Sequence, residues 1–140
     1  MLFDKRPRSL KRLLVVEDEP LLAFDNEHLL TEEGYEVVAT VDRVEEALKV
    51  LQSEAIDLVL ADVRLSGGGS GVDVAHAAKA LGVPVLFVSG FCPLEAQKLA
   101  IGCLAKPYRQ KDLLQAIEAV AARLEGKKTP RAPQSMSFYS

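Results

Sequence analysis

Five short apolar runs, each followed by a stretch of different periodicity, constrain this chain more than any other feature. The first, Leu13–Val16, has no polar interruption, as a strand covered on both faces requires. Pro20 suits the first turn of a helix, and Gly34 suits its close. Tyr35–Ala39 forms the next apolar run. Asp42 can then cap a helix in which Val44, Ala47, Leu48 and Leu51 recur at i, i+3, i+4 and i+7. Ile56–Ala61 is the third run, and a glycine-rich loop, "SGGGSG" at 66–71, leads to an alanine-rich helix from about Val72 to Leu81. "VPVLFVSG", at 83–90, is the fourth strand, followed by a short helix near Pro93. Gly102–Ala105 is the fifth. A last helix, near Gln110–Leu124, puts Leu113, Ala116, Ile117, Val120, Ala121 and Leu124 on one face. Such alternation predicts an α/β fold with helices on both faces of a parallel sheet. Right-handed crossovers make a flavodoxin-like, doubly wound five-stranded sheet of order 2-1-3-4-5 the simplest solution.

The 140 residues, 49% of them hydrophobic, hold one domain, expected over 11–125. Residues 1–10 read as a basic N-terminal arm, part of "KRPRSLKR" at 5–12, and 126–140 as a disordered tail rich in Pro, Ser and Lys. A net charge of −3 argues against nucleic acid as a partner. No apolar run reaches membrane-spanning length and no secretory signal opens the chain, which points to a cytoplasmic protein without a membrane partner. Cys92 and Cys103 lack CxxC spacing and read as reduced thiols rather than zinc ligands.

In sheets of this kind, ligands sit outside the carboxyl ends of the strands. The first strand runs straight into Glu17, Asp18 and Glu19, the third ends in Asp62, the fourth in Ser89, and the fifth stops before Lys106. Clustered carboxylates repel and need a cation. Three carboxylates without thiolate or imidazole form a hard-oxygen site suited to Mg²⁺. Lys106 adds a second positive charge. A divalent cation, a lysine and a hydroxyl around one carboxylate can stabilise charge on a transferring phosphoryl group.

With "VVEDEP" at 15–20, Asp62 after "DLVLA", Ser89–Gly90 after an apolar strand, and "KPY" at 106–108, the chain resembles the receiver domains of bacterial two-component response regulators over about residues 11–124. The resemblance implies that Asp62 is the phosphoacceptor, assisted by Lys106 and Ser89, and served by a sensor histidine kinase or histidine phosphotransfer protein. It implies Mg²⁺ bound by Asp18, Asp62 and the Arg64 backbone carbonyl, with Glu17 acting through water. Glu19 is then only a first-turn acid. A cis peptide before Pro107 is also implied. "PVLFVSGF" at 84–91 is similar to the signature of the FAT GUY subgroup.

Two residues and a loop set this chain apart from that pattern. Cys103 stands where most receivers carry the aromatic that turns inward on activation, so the switch role passes to Ser89 with Tyr108, or with Phe91. Arg64 is a bulky charge two residues after Asp62, and the following loop is rich in glycine. The function expected is a stand-alone receiver that catalyses only its own phosphoryl transfer and autodephosphorylation and signals by phosphorylation-dependent protein contacts. The downstream partner is left open, and so is a homodimer. Two alternatives are an aspartate-nucleophile phosphatase, which would need an aspartate where Arg64 stands, and a pseudo-receiver that binds without phosphorylation.

Overall fold

The computed structural model describes residues 10–65, 67–128 and 131–139. Its sheet has six strands in the order β2-β1-β3-β4-β5-β6. The strands are β1 (Arg12–Val16), β2 (Glu36–Val41), β3 (Leu58–Ala61), β4 (Val85–Ser89), β5 (Gly102–Ala105) and β6 (Met136–Phe138). The first five are parallel, in the expected flavodoxin-like order. The helices are α1 (Pro20–Glu32), α2 (Val44–Ser53), α3 (Gly71–Ala80) and α4 (Gln110–Leu124), with a 3-10 turn at Leu94–Lys98 between β4 and β5.

Period-2 alternation within the buried strands builds two apolar layers. Leu13, Val15, Leu58, Leu60, Leu86 and Leu104 point to one side, where they meet Leu30 of α1 and Leu113 and Ile117 of α4. Leu14, Val16, Val59, Val85 and Phe87 point to the other, where they meet Ala47 and Leu51 of α2 and Val74, Ala75 and Ala78 of α3. Each fully buried Leu or Phe stabilises the fold by about 2 kcal/mol relative to exposure. The small alanines of α3 let that helix lie close to the sheet.

Helix starts differ in how they are capped. Ser70 opens α3 with a capping box: its Oγ accepts from Val72 N–H at 3.1 Å, and Asp73 Oδ2 accepts from Ser70 N–H at 2.9 Å. At α2 the capping position is Arg43 rather than the expected Asp42, and no side chain caps there.

Two further expectations are corrected. The tail is not wholly disordered: Met136–Phe138 pairs antiparallel with β5 and makes the sheet six-stranded. A segment's Pro and Ser content hides a three-residue strand whose apolar side chains have an open sheet edge to cover. Nor are Cys92 and Cys103 separate thiols; they are joined as a disulfide, with Cα atoms 6.6 Å apart. The loop after β4 lies beside β5 and brings the two positions into reach. Of the basic arm, residues 1–9 lie outside the described residues, while Leu10 is buried in the layer under α1 and α4. Among the described residues no helix is long and apolar enough to cross a membrane.

At the amino edge of the sheet, Asp57 Oδ2 accepts from both Lys11 N–H and Arg12 N–H at 2.9 Å, fixing the entry into β1. Asp57→Ala should therefore lower unfolding stability in urea by about 2 kcal/mol, because two backbone donors lose a charged acceptor. It should leave chemistry at the opposite edge unchanged.

Candidate functional site

The last rungs of the sheet hold the site. Asp62 N–H donates to Val16 O at 2.9 Å, Glu17 N–H to Val41 O at 2.9 Å, and Lys106 N–H to Ser89 O at 3.0 Å. Parallel pairing thus brings Glu17, Asp62, Ser89 and Lys106 to the carboxyl edge from four strands. Gly71 adds a close approach from α3. A Cβ at that position would lie 2.1 Å from the Asp62 carbonyl oxygen, so only glycine lets the helix start here.

Lys106 is the centre of the arrangement. Its ammonium donates to Asp62 Oδ2 at 2.8 Å and Glu19 Oε2 at 2.6 Å, and lies 2.8 Å from Glu17 Oε1. Glu17 is 4% exposed and Asp62 7%. Burial alone would lower the lysine's pKa, but hydrogen bonds to Asp62, Glu17 and Glu19 outweigh it and leave the pKa raised. The sign follows: a folded pKa above the ordinary 10.5 means this stabilisation is complete at neutral pH and is lost only as pH rises through the alkaline range. Glu17 is held above the usual carboxylate range by burial, although Lys106 and the Glu19 N–H, which donates at 3.1 Å, oppose the shift.

Glu17, Asp18 and Asp62 each offer a carboxylate oxygen within 4.8 Å of the others. These hard donors fit Mg²⁺ better than a softer metal. With Glu19 they outnumber the charge that Lys106 supplies, so the cluster has a surplus that a divalent cation would offset. Asp62 Oδ1 also accepts from Arg64 N–H at 3.2 Å. Asp18, Glu19, Asp62, Arg64, Ser89, Gly90 and Phe91 line an open cleft of about 430 Å³. Ser89 is 2% exposed, and its Oγ accepts from Phe91 N–H at 3.3 Å, which leaves the hydroxyl hydrogen able to donate into the cleft.

The two aromatics named for the switch occupy different environments. Phe91 is 60% exposed at the rim. Tyr108 follows the cis Lys106–Pro107 peptide and packs into the layer beneath α1 and α4. Its hydroxyl accepts from Asn26 Nδ2 at 2.8 Å. Burial raises its pKa, against the lowering effect of the Asn26 hydrogen bond. Cys103 faces the other layer, bonded to Cys92.

Sequence reasoning missed three parts of this geometry. Glu19 is more than a first-turn acid: it precedes α1 as its capping residue, makes no capping bond, and turns to Lys106 instead. Asn26 shares the buried face of α1 with Ala23 and Leu30, and a polar residue at that spacing was the available signal. The Cys92–Cys103 bond left no signal in the sequence: Cys103 lies opposite Phe87 on β4, and only the course of the loop after β4 brings Cys92 back to it.

The comparisons agree with this fold. The profile of the response regulator receiver domain matches residues 13–118, and the chain belongs to that family. The transcriptional regulatory protein PdtaR of Mycobacterium tuberculosis is 32% identical over 120 residues, which cover 81% of this chain and 58% of PdtaR. The chain therefore spans a little over half the length of that relative. A CheY-like response regulator receiver domain protein from Methanospirillum hungatei superposes with a TM-score of 0.74 at 28% identity, covering 84% of this chain and 98% of the other. The response regulator TrrA of Thermotoga maritima, solved in complex with Mg²⁺–BeF, gives 0.68 at 30% identity over 77% of this chain and 96% of the other.

Two substitutions probe the geometry. Lys106→Met leaves Glu17 buried without its ammonium and should cost about 3 kcal/mol in denaturant unfolding, as loss of one partner of a buried pair does. The remaining stability should fall as pH rises above the usual carboxylate range, because Glu17 then binds its proton more tightly folded than unfolded. Tyr108→Phe leaves the Asn26 amide short of an acceptor and should cost about 1–2 kcal/mol. Adding Asn26→Leu should recover part of that loss in a double-mutant cycle.

Proposed function

We propose that this receiver domain is a phosphoacceptor of two-component signalling. Asp62 takes a phosphoryl group from a phosphohistidine on a sensor histidine kinase or a histidine phosphotransfer protein. The phosphorylated form signals in the cytoplasm through protein contacts. The observation that carries the reading is the Asp62 carboxylate at the sheet edge, gripped by Lys106 and flanked by Glu17 and Asp18 in an open cleft.

The chemistry follows from the hydrogen bonds. An Asp62 oxygen attacks phosphorus, the P–N bond breaks, its electron pair returns to the donor imidazole with a proton from solvent, and an acyl phosphate forms. Asp62 loses its negative charge in that step, so the Lys106 ammonium turns from Asp62 Oδ2 to a phosphoryl oxygen. Ser89 Oγ–H donates to another. Mg²⁺, held by the carboxylates of Asp18 and Asp62 and the Arg64 carbonyl, with Glu17 through water, would offset charge on the phosphoryl oxygens. The same site later hydrolyses its own acyl phosphate and turns over no other substrate. Arg64 at the rim bears on the phosphoryl lifetime, through the approach of water.

TrrA with Mg²⁺–BeF supports the cation in this reading. Among the switch residues, Tyr108 is favoured over Phe91. Lys106 and Tyr108 are separated by a single residue, so re-aiming the lysine tugs on the Tyr108–Asn26 hydrogen bond. Among the described residues, exposed Phe91 makes no side-chain hydrogen bond that could be exchanged.

The test is labelling with acetyl phosphate and Mg²⁺, read as intact mass. The wild-type chain should gain a single phosphoryl group and Asp62→Asn none. Millimolar Mg²⁺ should raise the melting temperature of the wild type, and Asp18→Asn should lose most of that rise. Labelling that persists in Asp62→Asn overturns the assignment.

A further inference from the structure

The end of the chain makes a contact that the phosphoryl chemistry does not use. On β5, Gly102, Cys103 and Leu104 lie opposite Phe138, Ser137 and Met136. Two flanking bonds lengthen the ladder: Ala105 N–H donates to Ser135 O and Tyr139 N–H to Ile101 O, both at 2.9 Å. The seat is specific. A Cβ at position 102 would come within 2.5 Å of the Ser137 carbonyl oxygen, so glycine is what lets the strand approach. The Arg123 guanidinium lies 4.0 Å over the Phe138 ring and donates to Tyr139 O at 3.3 Å. Met136 and Phe138 join one apolar layer, and Tyr139 joins the other.

The grip is also short. Three paired residues are at the lower limit for a strand, and terminal segments open most readily. One end of it is bonded next to the site. Ala105 N–H holds Ser135, while the next amide, Lys106 N–H, holds Ser89 on the other side of β5. Between tail and turn, a cavity of about 380 Å³ is lined by Pro107, Tyr108, Arg109, Asp112, Gln134 and Ser135. A change in the aim of Lys106 therefore reaches the tail through one peptide unit, with space for that turn to move.

We propose that the outer edge of β5 is a strand-docking surface, held closed by residues 135–139 of the same chain and opened when Asp62 is phosphorylated. Its occupant is an extended segment of another protein with an apolar, a small and an aromatic residue in succession, the pattern of Met136, Ser137 and Phe138. Main-chain pairing supplies affinity and alternate side chains supply selectivity. Until then the resident strand covers an edge that would otherwise invite unwanted pairing. The proposal rests on Asp62 as acceptor.

Hydrogen exchange on the full chain tests it, with and without Mg²⁺ and beryllofluoride, while intact mass after acetyl phosphate reports the adduct separately. The loaded chain should exchange the Ala105 and Tyr139 amides at least about ten-fold faster, as a shift of that size in local opening implies. Leu60 should be unchanged. A fluorescent peptide of residues 131–139 should bind the loaded chain and not the free one. Gly102→Val closes the edge to any strand: both amides should exchange rapidly in either state and the peptide should not bind, with Leu60 protection showing that the variant is folded. An adduct that leaves Ala105 and Tyr139 protected overturns the docking edge but not the acceptor. Absence of any adduct overturns both. A loaded chain that refuses the peptide and dimerises by light scattering assigns the edge to a second copy and overturns a foreign occupant.

Discussion

The ammonium of Lys106, held at once by Glu17, Glu19 and Asp62, is the contact on which the carboxyl edge depends. Without it, buried carboxylates from two neighbouring strands would face each other across a few ångströms of poorly solvated space, where like charges cost most. The lysine must arrive from the far side of β4, and only the parallel order of β1, β3, β4 and β5 brings it there. Fold and electrostatics are thus not separable at this edge. The apolar layers set the strand order, the strand order delivers the cation, and the cation makes the acid cluster tolerable.

Much of this was legible in the sequence because apolar runs and helical periods report burial directly. Leu13–Val16 announced a strand covered on both faces and Ile56–Ala61 a third strand, and the residues that follow each run were bound to gather at one edge. Legibility failed where a position depends on a contact partner far away in the chain. Nothing local distinguishes Glu19 from any other acid before a helix; its orientation follows from the reach of a lysine 87 residues later. Nor does the composition of the tail reveal β6. A three-residue strand has no period to detect, and its stability comes from Gly102 and Arg123 on other elements.

β5 is unusual in being constrained on both sides. Toward β4 it is tied at Cys103 to Cys92, at the end of the loop that follows Ser89. Toward the outer edge it carries β6. The strand that presents Lys106 is therefore connected covalently to the loop that carries Phe91 just beyond Ser89, and by hydrogen bonds to β6. In the proposed reading, with Cys103 bonded to Cys92, a signal leaving this edge passes through the backbone of β5 or through Tyr108.

The glycine at the start of α3 has a separate consequence. Gly71 N–H donates to Val63 O at 2.8 Å, and its bare Cα rests against the Asp62 backbone, so the intervening loop leaves and returns at nearly the same point. A loop closed in this way can lengthen, shorten or change its residues without moving Asp62, since each doubling in length costs only about 0.6 kcal/mol of closure entropy. The mouth of the cleft and its chemistry are therefore free to diverge independently. Related chains could admit different donors, or different amounts of water, past an unaltered Asp62.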